Sequence, residues 1–179
     1  AISLLGILLA LAVGSFQGAL GQVSSRENSS RFAALLRRCR AEAGLTGRHL
    51  RLSFDEQSSD PVVSMEGDPV TAPGAFQAYT AWWVEQAKLT DGVRVTACEL
   101  VGPDAGVAAV RLPQSAKEQN PLAGVTFYPD GSSDSARFLL ASDEPEHPWV
   151  TEIRLNGVDG TVTISELSPE EQQQAGQER

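Results

Sequence analysis

The chain is poor in the residues that most enzymes and metal sites need. It holds two histidines, two cysteines and one methionine in 179 residues. His49 begins an alternating segment beside Arg48, and His147 sits in the loop "EPEHPW". Neither has a nucleophile at motif spacing, and no Gly-x-Ser-x-Gly or Cys-His signature is present. The expectation is therefore a protein that is not an enzyme and carries no cofactor. Two cysteines are too few for a disulfide scaffold. Basic residues are also scarce after residue 51. Up to that point there are seven arginines and two acids; the rest of the chain carries a net charge of −14. Such an acidic body repels phosphate backbones, so no nucleic-acid partner is expected.

Charge is missing altogether from residues 1–25, and Arg26 is the first charged side chain. The strip "AISLLGILLALAV" opens the chain without a Lys or Arg ahead of it. A spanning helix needs ~20 apolar residues, and a signal peptide needs a positive leading region. Three readings are open: a signal h-region, a buried core helix, or the second part of a longer membrane helix. The third is preferred because the pattern continues. Phe16, Ala19, Leu20 and Val23 follow at helical spacing. Phe32, Leu35, Leu36, Cys39 and Ala43 then recur at i, i+3, i+4, i+7 and i+11. Arg31, Arg38 and Glu42 occupy the opposite face, and Gly44 and Gly47 are expected to end the helix. Residues 1–25 read as an apolar stem truncated at its start. Residues 26–167 read as a globular domain opening with an amphipathic helix over 26–43, and 168–179 as a polar disordered tail.

Downstream the period changes to two. "HLRLSFD" puts Leu50, Leu52 and Phe54 on one face, and "PVVSMEG" is positioned to pair with it. "GVRVTACEL" sets Val93, Val95 and Ala97 against Arg94, Thr96 and Cys98, and "VAAVRLP" reads as a further strand. "AGVTFYPDG" and "ARFLLAS" read as a hairpin through residues 129–133. "WVTEIRLNG" and "GTVTISEL" read as another, with Trp149, Ile153 and Leu155 facing Val162 and Ile164. Residues 56–75 and 113–123 read as Pro-, Gly- and polar-rich loops. "AFQAYTAWWVEQAKL" reads as a short helix turning Phe76, Tyr79 and Trp83 inward, though its aromatics suit a strand as well. The fold class is α+β: one long N-terminal helix packed on an antiparallel β-sheet domain.

Three stretches carry a family resemblance. "LLGILLALAVGSF", "RCRAEAGLTGRHLRLSFD" and "GVTFYPDGSSDSARFLL", closed by "IRLNGVDGTVTI", resemble type IV pilin-like proteins of the GspH/FimT group, the minor pseudopilins of type II secretion systems. The resemblance implies a pilin-like fold and a methylated N-terminal residue upstream of Ala1. It implies a single-pass anchor in a bacterial inner membrane, with the globular domain in the periplasm. Implied partners are other pseudopilins, met through the stem, the inner membrane itself and the secreted cargo. On this footing the stem residues Ile7, Leu8, Leu11 and Phe16 are the assembly contacts. Gly14 stands where the family often has a kinking proline. Two rivals stay open: a minor pilin of a type IV pilus, serving adhesion or DNA uptake, and a periplasmic binding protein with a signal peptide and a pocket at Trp82 and Trp83.

Four smaller features each admit two readings. Asp130, Ser132 and Asp134 have the one-three-five spacing that begins a calcium loop. Ser135 and Ala141 stand where such a loop needs Gly and Glu, so a plain turn is the preferred reading and no metal is expected. Trp82-Trp83 reads as core packing plus one half-exposed ring. Cys39 and Cys98 are either two buried thiols or a disulfide, which would contribute ~4 kcal/mol by closing its loop. Arg37, Arg38 and Arg40 are either a solvated face or partners for acidic surfaces of neighbouring subunits.

Overall fold

The computed structural model describes the backbone of residues 2–55, 58–90, 92–102, 124–142 and 149–167, and their side chains from residue 23 onward. Helix α1 spans Ile2–Thr46. At ~1.5 Å per residue it is close to ~68 Å long. Its expected end was three residues short. The helix runs through Gly44 and stops only where Gly47 takes φ 66° and donates its N–H to the Ala43 carbonyl at 3.0 Å. A left-handed residue is what terminates the ladder, and Gly44 does not adopt that conformation.

Among the described residues eight strands follow: β1 (Leu50–Phe54), β2 (Pro61–Glu66), β3 (Phe76–Ala78), β4 (Val93–Leu100), β5 (Val125–Phe127), β6 (Ala136–Ser142), β7 (Val150–Leu155) and β8 (Val162–Glu166). The short helix α2 (Trp82–Gln86) lies between β3 and β4. They form two antiparallel sheets, ordered β3-β2-β1-β5 and β4-β6-β7-β8. Helix and sheets meet at three rings. Phe32 of α1 lies 6.2 Å from Phe54 of β1 and 5.0 Å from Phe138 of β6, and the two strand rings are 6.3 Å apart. Leu35, Leu36, Cys39 and Ala43 continue the buried stripe, as their spacing predicts. Leu50, Leu52 and Phe54 are likewise buried.

Three details differ from the sequence reading. First, β5 and β6 are not a hairpin. β5 pairs with β1, β6 pairs with β4 and β7, and between them the chain closes a short turn with a single bridge, Phe127–Ser133. The tight turn between them carries the chain from one sheet into the other. Second, β4 changes its inward parity. A bulge between Val95 and Ala97 turns Cys98 into the core and Ala97 away from full burial. Third, residues 75–89 are not one helix. The open edge of β2 captures Phe76, Gln77 and Ala78 as β3, and the helix is confined to α2. The β7–β8 hairpin has the expected register, with Ile153 opposite Ile164 and Leu155 opposite Val162. The expected strand "VAAVRLP", the loop 113–123, His147 and the tail 168–179 lie outside the described residues.

Candidate functional site

A protein poor in catalytic chemistry must be read through its surfaces, and the axis of this one is α1. The first described turns of its buried face are polar. Asn28 is fully buried and donates to Thr90 Oγ1 at 2.8 Å while its Oδ1 accepts the Thr90 N–H at 2.9 Å. Ser25 Oγ meets Thr151 Oγ1 of β7 at 2.8 Å. Such pairing offsets the cost of burying an amide and two hydroxyls, whereas the buried Ser29 hydroxyl beside them has no partner among the described residues. The paired groups fix the rotation of the helix before the apolar stripe begins.

About three turns further along, the helix grips α2. The Arg38 guanidinium stands 5.9 Å over the Trp83 ring and reaches Glu42 at 3.6 Å. Glu42 also accepts the Tyr79 hydroxyl at 2.8 Å, which raises the tyrosine's pKa because the phenol proton is held by a carboxylate. Glu42, on the helix face opposite the apolar stripe, is an anchor for the segment that follows β3. Trp82, next to it, stays well exposed.

The last turns of α1 hold two β-turns together. The Arg40 guanidinium donates through Nε to the Gly131 carbonyl and through Nη1 to the Asp159 carbonyl. One side chain thereby ties the helix to the β5–β6 turn and the β7–β8 turn. The turns are also joined directly: Ser133 donates to the Gly157 carbonyl at 2.8 Å, and Gly157 donates to Ser135 Oγ at 2.9 Å. Glycine is required at two of these places. A Cβ on Gly160, whose φ is 72°, would stand 1.8 Å from Arg40 Nη1, and one on Gly157 would stand 2.0 Å from the Ser133 carbonyl oxygen. Beside this junction lies an open groove of about 450 Å³, lined by Arg37, Arg40, Ala41, Gly44, Gly131 and Gly160.

The sequence candidates fall as follows. Ile7, Leu8, Leu11 and Phe16 lie on α1, with side chains outside the described set. Cys39 and Cys98 are both buried free thiols, so the disulfide is not formed. Burial pushes each thiol up to about 12. The carboxylates of the calcium candidate face their own turn. Asp130 accepts from the Ser132 amide and hydroxyl at 2.9 and 2.6 Å, which lowers its pKa. Asp134 accepts from the Thr126 amide and the Tyr128 hydroxyl at 2.8 and 3.0 Å. Among the described residues no three His, Cys, Asp or Glu side chains gather around a metal position. Trp83 is core and Trp82 surface, as read. His49 is not a free surface group: its Nδ1 lies 2.5 Å from Glu66 Oε2.

Asn28, Arg40, Glu42 and Glu66 were missed as structural contacts. The one sequence signal for Arg40 was the pair of glycine-bearing turns, "PDGSS" and "NGVDG", whose meeting point it fills. Among the described residues no helix is long and apolar enough to cross a membrane.

The profile of a protein family described as type II transport protein GspH matches residues 28–168. Among solved structures, the chain is similar to the minor pseudopilin EpsH from the type 2 secretion system of Vibrio cholerae. One EpsH structure is 14% identical with a TM-score of 0.49, covering 80% of this chain and 97% of that one. A second is 16% identical with a TM-score of 0.48, covering 79% and 92%. No curated protein matches the chain.

Proposed function

The chain belongs to the GspH family of type II transport proteins, and from that membership we propose that it acts as a minor pseudopilin, a structural subunit of a type II secretion system. Its work is assembly. The apolar run at the front of α1 anchors the subunit in the inner membrane. It then packs among the stems of other pseudopilins, where burial of apolar surface favours association. The globular domain stands in the periplasm and contacts the next subunit and the secreted cargo.

The observation that carries this reading is the family match over residues 28–168. The course of α1 supports it. The helix passes without interruption from the uncharged segment into the stripe buried by both sheets. Arg40, Asn28 and Ser25 hold that stripe to the domain at both ends. A pull on the stem is therefore transmitted to the whole β domain without passing through a linker.

The test is a charged substitution in the stem. Leu8→Glu or Leu11→Glu is expected to abolish co-purification with partner pseudopilins and to stop secretion, while the globular domain keeps its melting temperature. Intact assembly in both variants would overturn the stem. Mass spectrometry of the membrane-bound protein adds a second check. A methylated N-terminal residue upstream of Ala1 is expected; a soluble protein starting near Gln22 would point to a cleaved signal peptide instead.

A further inference from the structure

We infer that the groove between the end of α1 and the two turns is a carboxylate-binding notch that receives an acidic segment of a neighbouring pilin-like subunit. The inference rests on the pseudopilin reading and names the site at which one subunit meets the next.

The three clustered arginines are not equivalent. Arg38 is committed to Trp83 and Glu42. Arg40 has committed Nε and Nη1 to backbone carbonyls, and its Nη2 has no partner among the described residues. Arg37 is exposed and makes no hydrogen bond or ion pair among the described residues. Arg37 and Arg40 both line the groove. The remainder of its wall is Ala41, Gly44, Gly131 and Gly160, so little side-chain bulk prevents a partner's main chain from coming close. A guanidinium with unspent donors at the rim of a shallow, small-residue floor is suited to a carboxylate, which it binds through two parallel hydrogen bonds.

Charge complementarity names the source. The helix from residue 26 to 43 is basic, whereas the chain beyond residue 51 carries a net charge of −14. Subunits of this kind packed side by side set a basic helix end against an acidic body. Lipid phosphate is a poorer match. Arg37 lies twelve residues past the uncharged segment, about 18 Å further along the helix, and Arg26 and Arg31 would meet headgroups first.

The test uses the full-length chain in cells that assemble the secretion system. Benzoylphenylalanine replaces Ala41, which lines the groove, and the irradiated product is mapped by mass spectrometry. The expected crosslink joins a pilin-like subunit within a few residues of an Asp or Glu. Arg37→Glu should reduce its yield at least tenfold, Arg37→Lys should retain it, and reversing the mapped acid to Arg should restore it in Arg37→Glu. Unchanged yield in Arg37→Glu, a crosslink into lipid or into a segment without acids, or no crosslink in secreting cells would each overturn the notch. So would flotation with phosphatidylglycerol vesicles that Arg37→Glu alone abolishes. Leu11→Glu separates the two readings. If it stops assembly while Arg37→Glu does not, the notch fails and the stem stands; if it leaves assembly intact, the stem itself fails. The melting temperature of each variant in detergent is expected to match the parent.

Discussion

The buried face of α1 is built from two kinds of chemistry. Ser25 and Asn28 meet the domain through a hydroxyl and an amide, whereas residues 32–43 meet it through rings, aliphatic chains and a thiol. Apolar burial is non-directional and grows with area, so the second region supplies most of the stability. Hydrogen bonds contribute little net energy but tolerate few geometries. The first region therefore sets the angle at which the stem leaves the domain. A subunit that must both stay folded and present its stem in one direction needs both.

The comparison is broken most directly at Phe32. It is fully buried and touches rings from both sheets. Phe32→Ala removes the contact that joins all three layers and should cost about 3–5 kcal/mol. Chemical denaturation of the domain measures it. A loss under ~1 kcal/mol, below the ordinary range for a buried aromatic, would mean that the helix is held mainly by its polar end.

Next in size is the junction that closes the apolar region. Gly160→Ala forces a side chain into φ 72° and displaces Arg40. A loss of about 1–3 kcal/mol is expected from the backbone alone. Arg40→Met should lower stability less and should reduce the additional penalty of Gly160→Ala in a double-mutant cycle. Additive losses would show that Arg40 does not bind the turn.

How far this design was legible depends on the range of the interactions. The stripe Phe32, Leu35, Leu36, Cys39, Ala43 and the face Leu50, Leu52, Phe54 were readable because burial imposes a period on neighbouring residues. The β7–β8 hairpin was readable because its partners are adjacent in sequence. The β5–β6 pairing was misread for the opposite reason. A turn signal such as Pro129-Asp130-Gly131 specifies that the chain reverses, not which strand each arm then joins. The parity of β4 failed at one bulge. Asn28, Glu42 and Arg40 were illegible as anchors because their partners, Thr90, Tyr79, Gly131 and Asp159, are fixed only by the tertiary fold.

The polar region is tested at Asn28. Asn28→Ala leaves the Thr90 N–H without its acceptor and should cost about 1–3 kcal/mol, less than Phe32→Ala. Hydrogen exchange at Thr90 should accelerate before global unfolding does. A loss as large as that of Phe32→Ala would erase the distinction between the two regions.

Acid sharpens the comparison because no fully buried contact of either region includes a carboxylate; Glu42, which anchors Tyr79, is only partly buried. The acid response centres on Glu66. The Gly74 amide, and after it His49, hold its pKa below 4.5. A carboxyl lowered in the folded state contributes stability above its unfolded pKa and loses it as pH falls through the folded one. The thermal midpoint should therefore drop below pH 4.5, and Glu66→Gln should flatten that slope. Glu152 acts in the same direction: burial works to raise its pKa, but hydrogen bonds from Arg154 and Arg137 leave it lowered.

The smallest effect separates orientation from stability within the polar region itself. Ser25 and Thr151 are both almost completely buried and share one hydrogen bond of 2.8 Å. Ser25→Ala strands the Thr151 hydroxyl and should cost ~1 kcal/mol. Thr151→Val should cost a similar amount. Replacing both leaves two apolar groups of nearly the same shape, so the double variant should be close to the parent in stability. A purely energetic contact predicts that such a variant also secretes normally. If instead its melting temperature is unchanged while secretion or subunit crosslinking falls, the hydrogen bond is present for direction and not for strength. A double variant as unstable as the sum of the single ones would show that the two hydroxyls act independently, and the polar region would lose its distinct role.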